Sequence, residues 1–267
     1  MEHVSSRQNS IVKRFREAGR QGRLPGDAVL LDGPHLVAEA IDSGVTLEVV
    51  VFTADVAGDR LAPLAGRCLA SGARVVTVPE SLLAVMTPVR QASGVVAIAR
   101  LRAAMVTDVL EPTPPLIAVL DRVQDPGNVG AIVRVAEGCG ATAVITGPGT
   151  ADPFGWKALR GSMGSAFRLP IARVDSLSTA NHALRAAGIR VFAAVPRGGT
   201  PIRQAHLAGP AAIVLGGEGS GLAGEMIGQA DELLTVDMRP PVESLNVSVA
   251  AALVLYEASR QRADVAV

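Results

Sequence analysis

The sequence predicts an α/β protein of two tandem units, the second organised around a largely parallel sheet. Three observations carry this expectation. Short β-branched apolar runs alternate with stretches of 3.6-residue apolar period along nearly the whole chain of 267 residues. Several of the strand-like runs are continuously apolar, as strands covered by helices on both faces are. The stretch Leu101 to Pro115 carries Pro112, Pro114 and Pro115, which favour extended chain and split the alternation in two. The expected division is residues 1–107, a linker over 108–115, and residues 116–267.

The first unit opens on a basic segment. Residues 1–23 hold six Lys and Arg (Arg7, Lys13, Arg14, Arg16, Arg20, Arg23) against two acids, Glu2 and Glu17. Such an excess suits nucleic-acid phosphates, with Arg7, Lys13, Arg14 and Arg16 as the candidate contacts; a solvated charged helix is the alternative. "AVLLDG", "LEVVVFT", "RVVTVP" and "GVVAIARL" then read as strands. "HLVAEAIDSG", "LAPLAGRCLASG" and "SLLAVMT" read as the helices between them. In the second unit, "LIAVLDRV", "TAVIT", "PIARV", "RVFAAV", "AAIVLG" and "ELLTV" read as strands. "WKALRGSMGSA", "LSTANHALRAAG" and "LNVSVAAALVLYEASRQR" read as helices. In sheets of this kind ligands bind beyond the carboxyl ends of strands, so the informative residues should follow strands directly.

Composition narrows the function. Hydrophobic residues make up 49% and charged residues 19%, which fits a compact chain rather than a disordered one. The formal net charge is zero, so a nucleic-acid partner has to be sought in local patches. There is no apolar run of membrane-spanning length and no secretory h-region. Two distant cysteines, Cys68 and Cys139, fit a reduced, cytoplasmic setting; neither they nor the four scattered histidines form a metal pattern. Aromatics at 3% weigh against base stacking on exposed rings as the means of RNA binding.

Three polar loops follow strands. In "DRVQDPGNVGAIVRV", Pro126 and Gly127 make a turn, Asn128 and Gly130 accept unusual backbone angles, and Arg134 is expected about one turn into a helix. In "IVLGGEGSGLAGE", Gly216, Gly217, Gly219 and Gly221 would let a ligand approach the backbone, and Glu218 is the only charge among them. The first loop lacks the G-x-G-x-x-G fingerprint and the second lacks G-K-[ST], which excludes a standard dinucleotide or Walker A loop. In "VDMRPPVESLNVSVAAALVLYEA", Pro240 and Pro241 interrupt regular structure, and Ser244 or Asn246 could cap the apolar helix that follows. A cap alone leaves the gathering of Glu243, Ser244, Asn246 and Ser248 unexplained.

Together these loops resemble the SpoU (TrmH-like) branch of the SPOUT RNA methyltransferases. The family's N-x-G-x-x-x-R motif is matched by Asn128, Gly130 and Arg134, its glycine loop by "LGGEGSGL", and its S-L-N-V-S motif by Ser244 to Ser248. The openings "SRQNSIVKRFR" and "LLDGPHLVAEAIDSG" are similar to the family's ribosomal-protein-like RNA-binding domain, an arrangement found in thiostrepton-resistance-type enzymes. The resemblance implies an α/β knot with a threaded C-terminal segment. It implies a homodimer whose active sites combine both subunits, and S-adenosyl-L-methionine as cofactor. By motif position the cofactor pocket would include Gly216, Gly217, Val236, Met238, Leu245 and Asn246.

The implied reaction is methyl transfer to a ribose 2′-oxygen of RNA, most readily large-subunit ribosomal RNA. Alternatives are a transfer-RNA substrate or a catalytically silent RNA-binding protein. Arg134 is the leading catalytic candidate, with Asn128, Glu218, Ser244 and Asn246 positioning it, the ribose or the cofactor. An arginine stays protonated, so its planar guanidinium suits clamping a phosphate and stabilising oxyanion charge better than removing a proton.

Overall fold

The computed structural model describes residues 1–54, 60–90, 93–111, 114–219 and 221–265; Pro112 of the expected linker lies outside the described residues. The chain forms two compact units, Met1–Arg102 with Phe154–Arg168, and Ala103–Pro153 with Leu169–Val267.

The first unit begins with β1 (Glu2–His3), α1 (Ser10–Gln21), β2 (Arg23–Leu24), β3 (Ala28–Asp32), α2 (Pro34–Asp42) and β4 (Leu47–Thr53). It continues with α3 (Ala62–Ala70), β5 (Arg74–Val78), α4 (Glu80–Leu83) and β6 (Val95–Arg100). Helix α1 starts where Asn9 accepts a 2.9 Å hydrogen bond from the Ile11 amide, and it buries Ile11, Val12, Phe15 and Ala18 along one stripe. The six strands form one mixed sheet in the order β1-β5-β4-β6-β3-β2. Phe15 packs there with Leu30, Val51, Val76 and Ile98. Burying one such aromatic side chain stabilises the fold by about 2–3 kcal/mol.

The second unit opens earlier than the expected boundary. Residues expected to run as an extended linker include α5 (Val106–Leu110), whose Val109 is fully buried in this unit's core beside Ile117 and Ala143. Next come β7 (Leu116–Asp121), α6 (Pro126–Gly138) and β8 (Ala143–Thr146). The stretch "WKALRGSMGSA", expected as one helix of this unit, instead forms α7 (Trp156–Ser162) and α8 (Ser165–Arg168) within the first unit. The break is conformational: Met163 and Gly164 take φ of 51° and 95°. The displacement is hydrophobic: Trp156 packs against the first unit's core and Leu159 is fully buried.

The remaining elements are β9 (Ile171–Arg173), α9 (Leu177–Ala186), β10 (Arg190–Ala194), β11 (Thr200–Pro201), β12 (Ala211–Gly216), α10 (Gly224–Gln229), β13 (Glu232–Thr235) and α11 (Val247–Val265). Their sheet is parallel throughout, in the order β11-β13-β10-β12-β7-β8-β9. From β7 the chain moves outward through β8 and β9, then crosses to the other side of β7. That reversal creates a crevice at the carboxyl ends of β7 and β12.

Helix α11 packs against α6 and β12. Its last turns are tied down by Arg262, which donates to the carbonyl oxygens of Pro114 (2.9 Å), Pro115 (2.9 Å), Leu207 (3.2 Å) and Gly209. Among the described residues, no helix is long and apolar enough to cross a membrane.

Candidate active site

The loops leaving β7, β12 and β13 meet beyond the sheet. In the first, Asp125 caps α6, its Oδ1 accepting from the Asn128 amide at 2.9 Å, and Pro126 occupies the first helical position, where no N–H is needed. Asn128 therefore sits in the first turn of α6. In the third loop Asn246 caps α11, its Oδ1 accepting from the Ser248 amide (2.9 Å) and hydroxyl (2.6 Å). The capping role open to Ser244 or Asn246 thus falls to Asn246.

In the second loop, Gly216 and Gly217 approach the chain's own backbone closely enough to exclude a side chain. A Cβ on Gly216 would lie 2.5 Å from the Gly221 carbonyl carbon, and one on Gly217 would lie 2.0 Å from the Arg122 oxygen. The Gly217 amide donates to the Asp121 oxygen at 2.9 Å, and the Gly221 amide donates to the Gly217 oxygen at 3.2 Å.

One polar chain joins all three loops. Asn246 Nδ2 donates to Asn128 Oδ1 at 3.2 Å, and Asn128 Nδ2 donates to Glu218 Oε1. Beside it lies a cavity of about 540 Å³. All six cofactor candidates, Gly216, Gly217, Val236, Met238, Leu245 and Asn246, line it, together with Glu218 and Ser244. Ser244 makes no side-chain hydrogen bond among the described residues, so its hydroxyl is available at the cavity. The floor is apolar, with Leu222, Ile227, Leu234 and Val254.

The sequence reading missed one wall, Ala194, Val195 and Pro196. Ala194 ends β10 and the other two follow it; β10 lies between β12 and β13, so its loop enters the same crevice. The strand runs could be read from sequence; their lateral order could not.

Arg134 stands apart. It is eight residues beyond Pro126, about 12 Å along the helix axis, more than two turns in rather than the expected one. It is exposed, does not line the cavity, and has no hydrogen bond or ion pair among the described residues. In the first unit, Arg7, Lys13 and Arg16 are exposed without acid partners among the described residues. Arg14 is half-buried and paired with Glu48, which also receives Arg100 Nε at 2.6 Å. Among the described residues, no group of three His, Cys, Asp or Glu side chains is arranged to hold a metal ion.

The sequence profile of the SpoU rRNA Methylase family matches residues 115–256, and that of the RNA 2′-O ribose methyltransferase substrate-binding domain matches residues 30–103. The 23S rRNA (guanosine(2553)-2′-O)-methyltransferase RlmP of Bacillus subtilis is 29% identical over 96% of this chain and 98% of its own. The crystal structure of an AdoMet-bound rRNA methyltransferase from Sinorhizobium meliloti is 31% identical, superimposes with a TM-score of 0.85, and covers 97% of each chain. A TrmH/SpoU tRNA modifying enzyme of A. aeolicus, 26% identical, superimposes on 60% of this chain and 82% of its own, with a TM-score of 0.52.

Proposed function

Because this chain belongs to the SpoU rRNA methylase family, we propose that it methylates a ribose 2′-oxygen of ribosomal RNA with S-adenosylmethionine as donor. The observation that carries this reading is the polar chain Glu218–Asn128–Asn246, drawn from three separate loops and set beside one apolar cavity. Ribosomal rather than transfer RNA is favoured by extent. The 23S rRNA relative matches nearly all of both chains, whereas the tRNA enzyme matches little more than half of this one.

The cavity fits the cofactor. Its volume of about 540 Å³ lies in the range for ligands of this size, about 300–1,000 Å³. Leu222, Leu234, Val236, Leu245 and Val254 offer an apolar seat for the adenine. Glu218, Ser244 and Asn246 supply acceptors and donors for the charged methionine part. When bound, the cofactor supplies an electrophilic methyl group on a good leaving group. The remaining work is alignment, which by itself can supply much of the acceleration. Asn128 and Glu218 hold the first and second loops in register, and Ser244 presents a hydroxyl toward the ribose.

Arg134 grips the phosphate beside the target ribose and stabilises negative charge developing on its oxygen. A homodimer resolves its distance from its own cavity. Helix α11 exposes Val249, Leu253 and Tyr256 in an apolar stripe and packs beside α6, so pairing through this face would bring Arg134 of one subunit to the cavity of the other. The knotted C-terminus would be held by Arg262 of the last helix, which donates to the carbonyls of Pro114, Pro115 and Gly209. The first unit would hold RNA through Arg7, Lys13 and Arg16, with Arg14 keeping α1 on its sheet through Glu48. A cytoplasmic location follows from a ribosomal substrate.

The test is calorimetry with S-adenosylmethionine, followed by mapping of ribose methylation in ribosomal RNA from cells with and without the protein. Micromolar binding and one lost methylation site are expected. Absence of cofactor binding would overturn the reading.

A further inference from the structure

Arg122 follows β7 directly and has φ of 55°, the left-handed region that Gly and Asn occupy more readily. Its side chain reaches across to the glycine loop. Nη2 donates to the Gly221 carbonyl at 3.4 Å and to Asp121 Oδ2 at 3.3 Å. Nε lies 3.3 Å from Asp121 Oδ1 as an ion pair, without hydrogen-bond alignment. Asp121 is itself buried, and its Oδ2 accepts from the Ala223 amide at 3.2 Å. On the near side of the loop, the Gly217 amide donates to the Asp121 backbone oxygen, and Gly217 is packed against the Arg122 carbonyl. Two consecutive residues thus grip the glycine loop at Gly217, Gly221 and Ala223. Arg122 does not line the cavity, whereas Gly216, Gly217, Glu218, Gly219 and Gly221 do.

We infer that Arg122, braced by Asp121, is a positioning residue: it latches the glycine loop in its cofactor-accepting shape and sets Glu218 where Asn128 meets it. The cofactor part of this inference rests on the proposed function. Backbone and side chain make opposite demands at this position. If Arg122 were only a turn residue, Arg122→Gly would relieve the left-handed backbone and leave the loop unchanged. As a latch, the same substitution keeps or raises the melting temperature while freeing the loop.

The test uses the full-length protein and Arg122→Gly and Arg122→Lys variants. Without cofactor, hydrogen exchange at the Gly217, Gly221 and Ala223 amides should quicken about tenfold in Arg122→Gly, the loss of one charge-assisted bond, with no fall in melting temperature. With cofactor, KM for S-adenosylmethionine should rise about tenfold, and kcat should fall with it because Glu218 loses its register with Asn128. Arg122→Lys should restore part of the exchange protection. Unchanged exchange at those three amides in Arg122→Gly overturns the latch. Failure of the parent protein to bind S-adenosylmethionine overturns the proposed function instead, and the exchange measurement still decides the latch.

Discussion

Gly217→Ala is the sharpest steric probe of the cavity wall. The added Cβ would lie 2.0 Å from the Arg122 carbonyl oxygen and 2.8 Å from its carbon. A carbon normally keeps about 3.3 Å from such an oxygen, so the loop must retreat by about 1.3 Å. That retreat breaks the 2.9 Å bond from the Gly217 amide to Asp121, worth about 1 kcal/mol. It also shifts Glu218 by a distance comparable to those that cost about 10²-fold in rate when alignment governs the chemistry. Gly224→Ala is the control: it does not line the cavity, and the new methyl meets nothing within 4 Å. Calorimetry with S-adenosylmethionine beside a thermal melt separates the two. Gly217→Ala should lose most cofactor binding while keeping a cooperative melt, and Gly224→Ala should bind within a few-fold of the parent. Parental affinity in Gly217→Ala would refute the reasoning that this close approach fixes the cavity wall.

Mixing two inactive variants, Arg134→Ala and Asn246→Ala, should restore about one quarter of parental methyl transfer: half of randomly assorted dimers are mixed, and each carries one intact composite site. Arg134 acting within its own subunit would instead give no restoration. Arg262→Ala removes four hydrogen bonds to carbonyls and should lower stability by about 2 kcal/mol, or about 4–8 °C in the melt; an unchanged melt would show that α11 needs no tether. Lys13→Glu with Arg16→Glu should flatten the salt dependence of RNA binding by about two phosphate contacts, measured by filter binding across a salt series, whereas Arg14→Glu should chiefly lower stability by opposing Glu48. Burial raises the Cys68 thiol from 9.0 to about 11. Native-state alkylation near pH 8 should therefore label half-buried Cys139 first. The associated stability is fully present below about pH 9 and is lost as pH rises through about 11, which a pH series of melts would detect.

The strands and main helices were legible because each is long enough to carry its own period. "AVLLDG" and "LIAVLD" are uninterrupted apolar runs, and both are buried throughout as strands. The helix at 156–168 misled because its apolar residues mark burial without naming the core that buries them. Trp156 joins the first unit although the chain on either side belongs to the second. The two-residue strands β1, β2 and β11 are too short for any period to register. The linker reading weighted its prolines and missed that Val109 was apolar enough to anchor a helical turn.

At the site the legible part was chemistry and the illegible part was lateral order. Asn128, Glu218 and Asn246 could be picked out because they fall in three loops that together match the family's motifs, and they prove to be hydrogen-bonded to one another. Arg122 could not, because its meaning depends on φ and on a loop 99 residues away, and neither is written in a local pattern. The same limit applies to the wall after β10, which joins the site only because β10 lies between β12 and β13. Arg134 marks the opposite case. Sequence singled it out, yet the single chain leaves it exposed beyond the cavity it is meant to serve. A residue so placed is either irrelevant to the chemistry or completed by a second subunit, and the exposed stripe Val249–Leu253–Tyr256 on the neighbouring helix favours the latter. The mixed-dimer experiment therefore tests more than assembly: it decides whether the folded monomer is a whole active site or half of one.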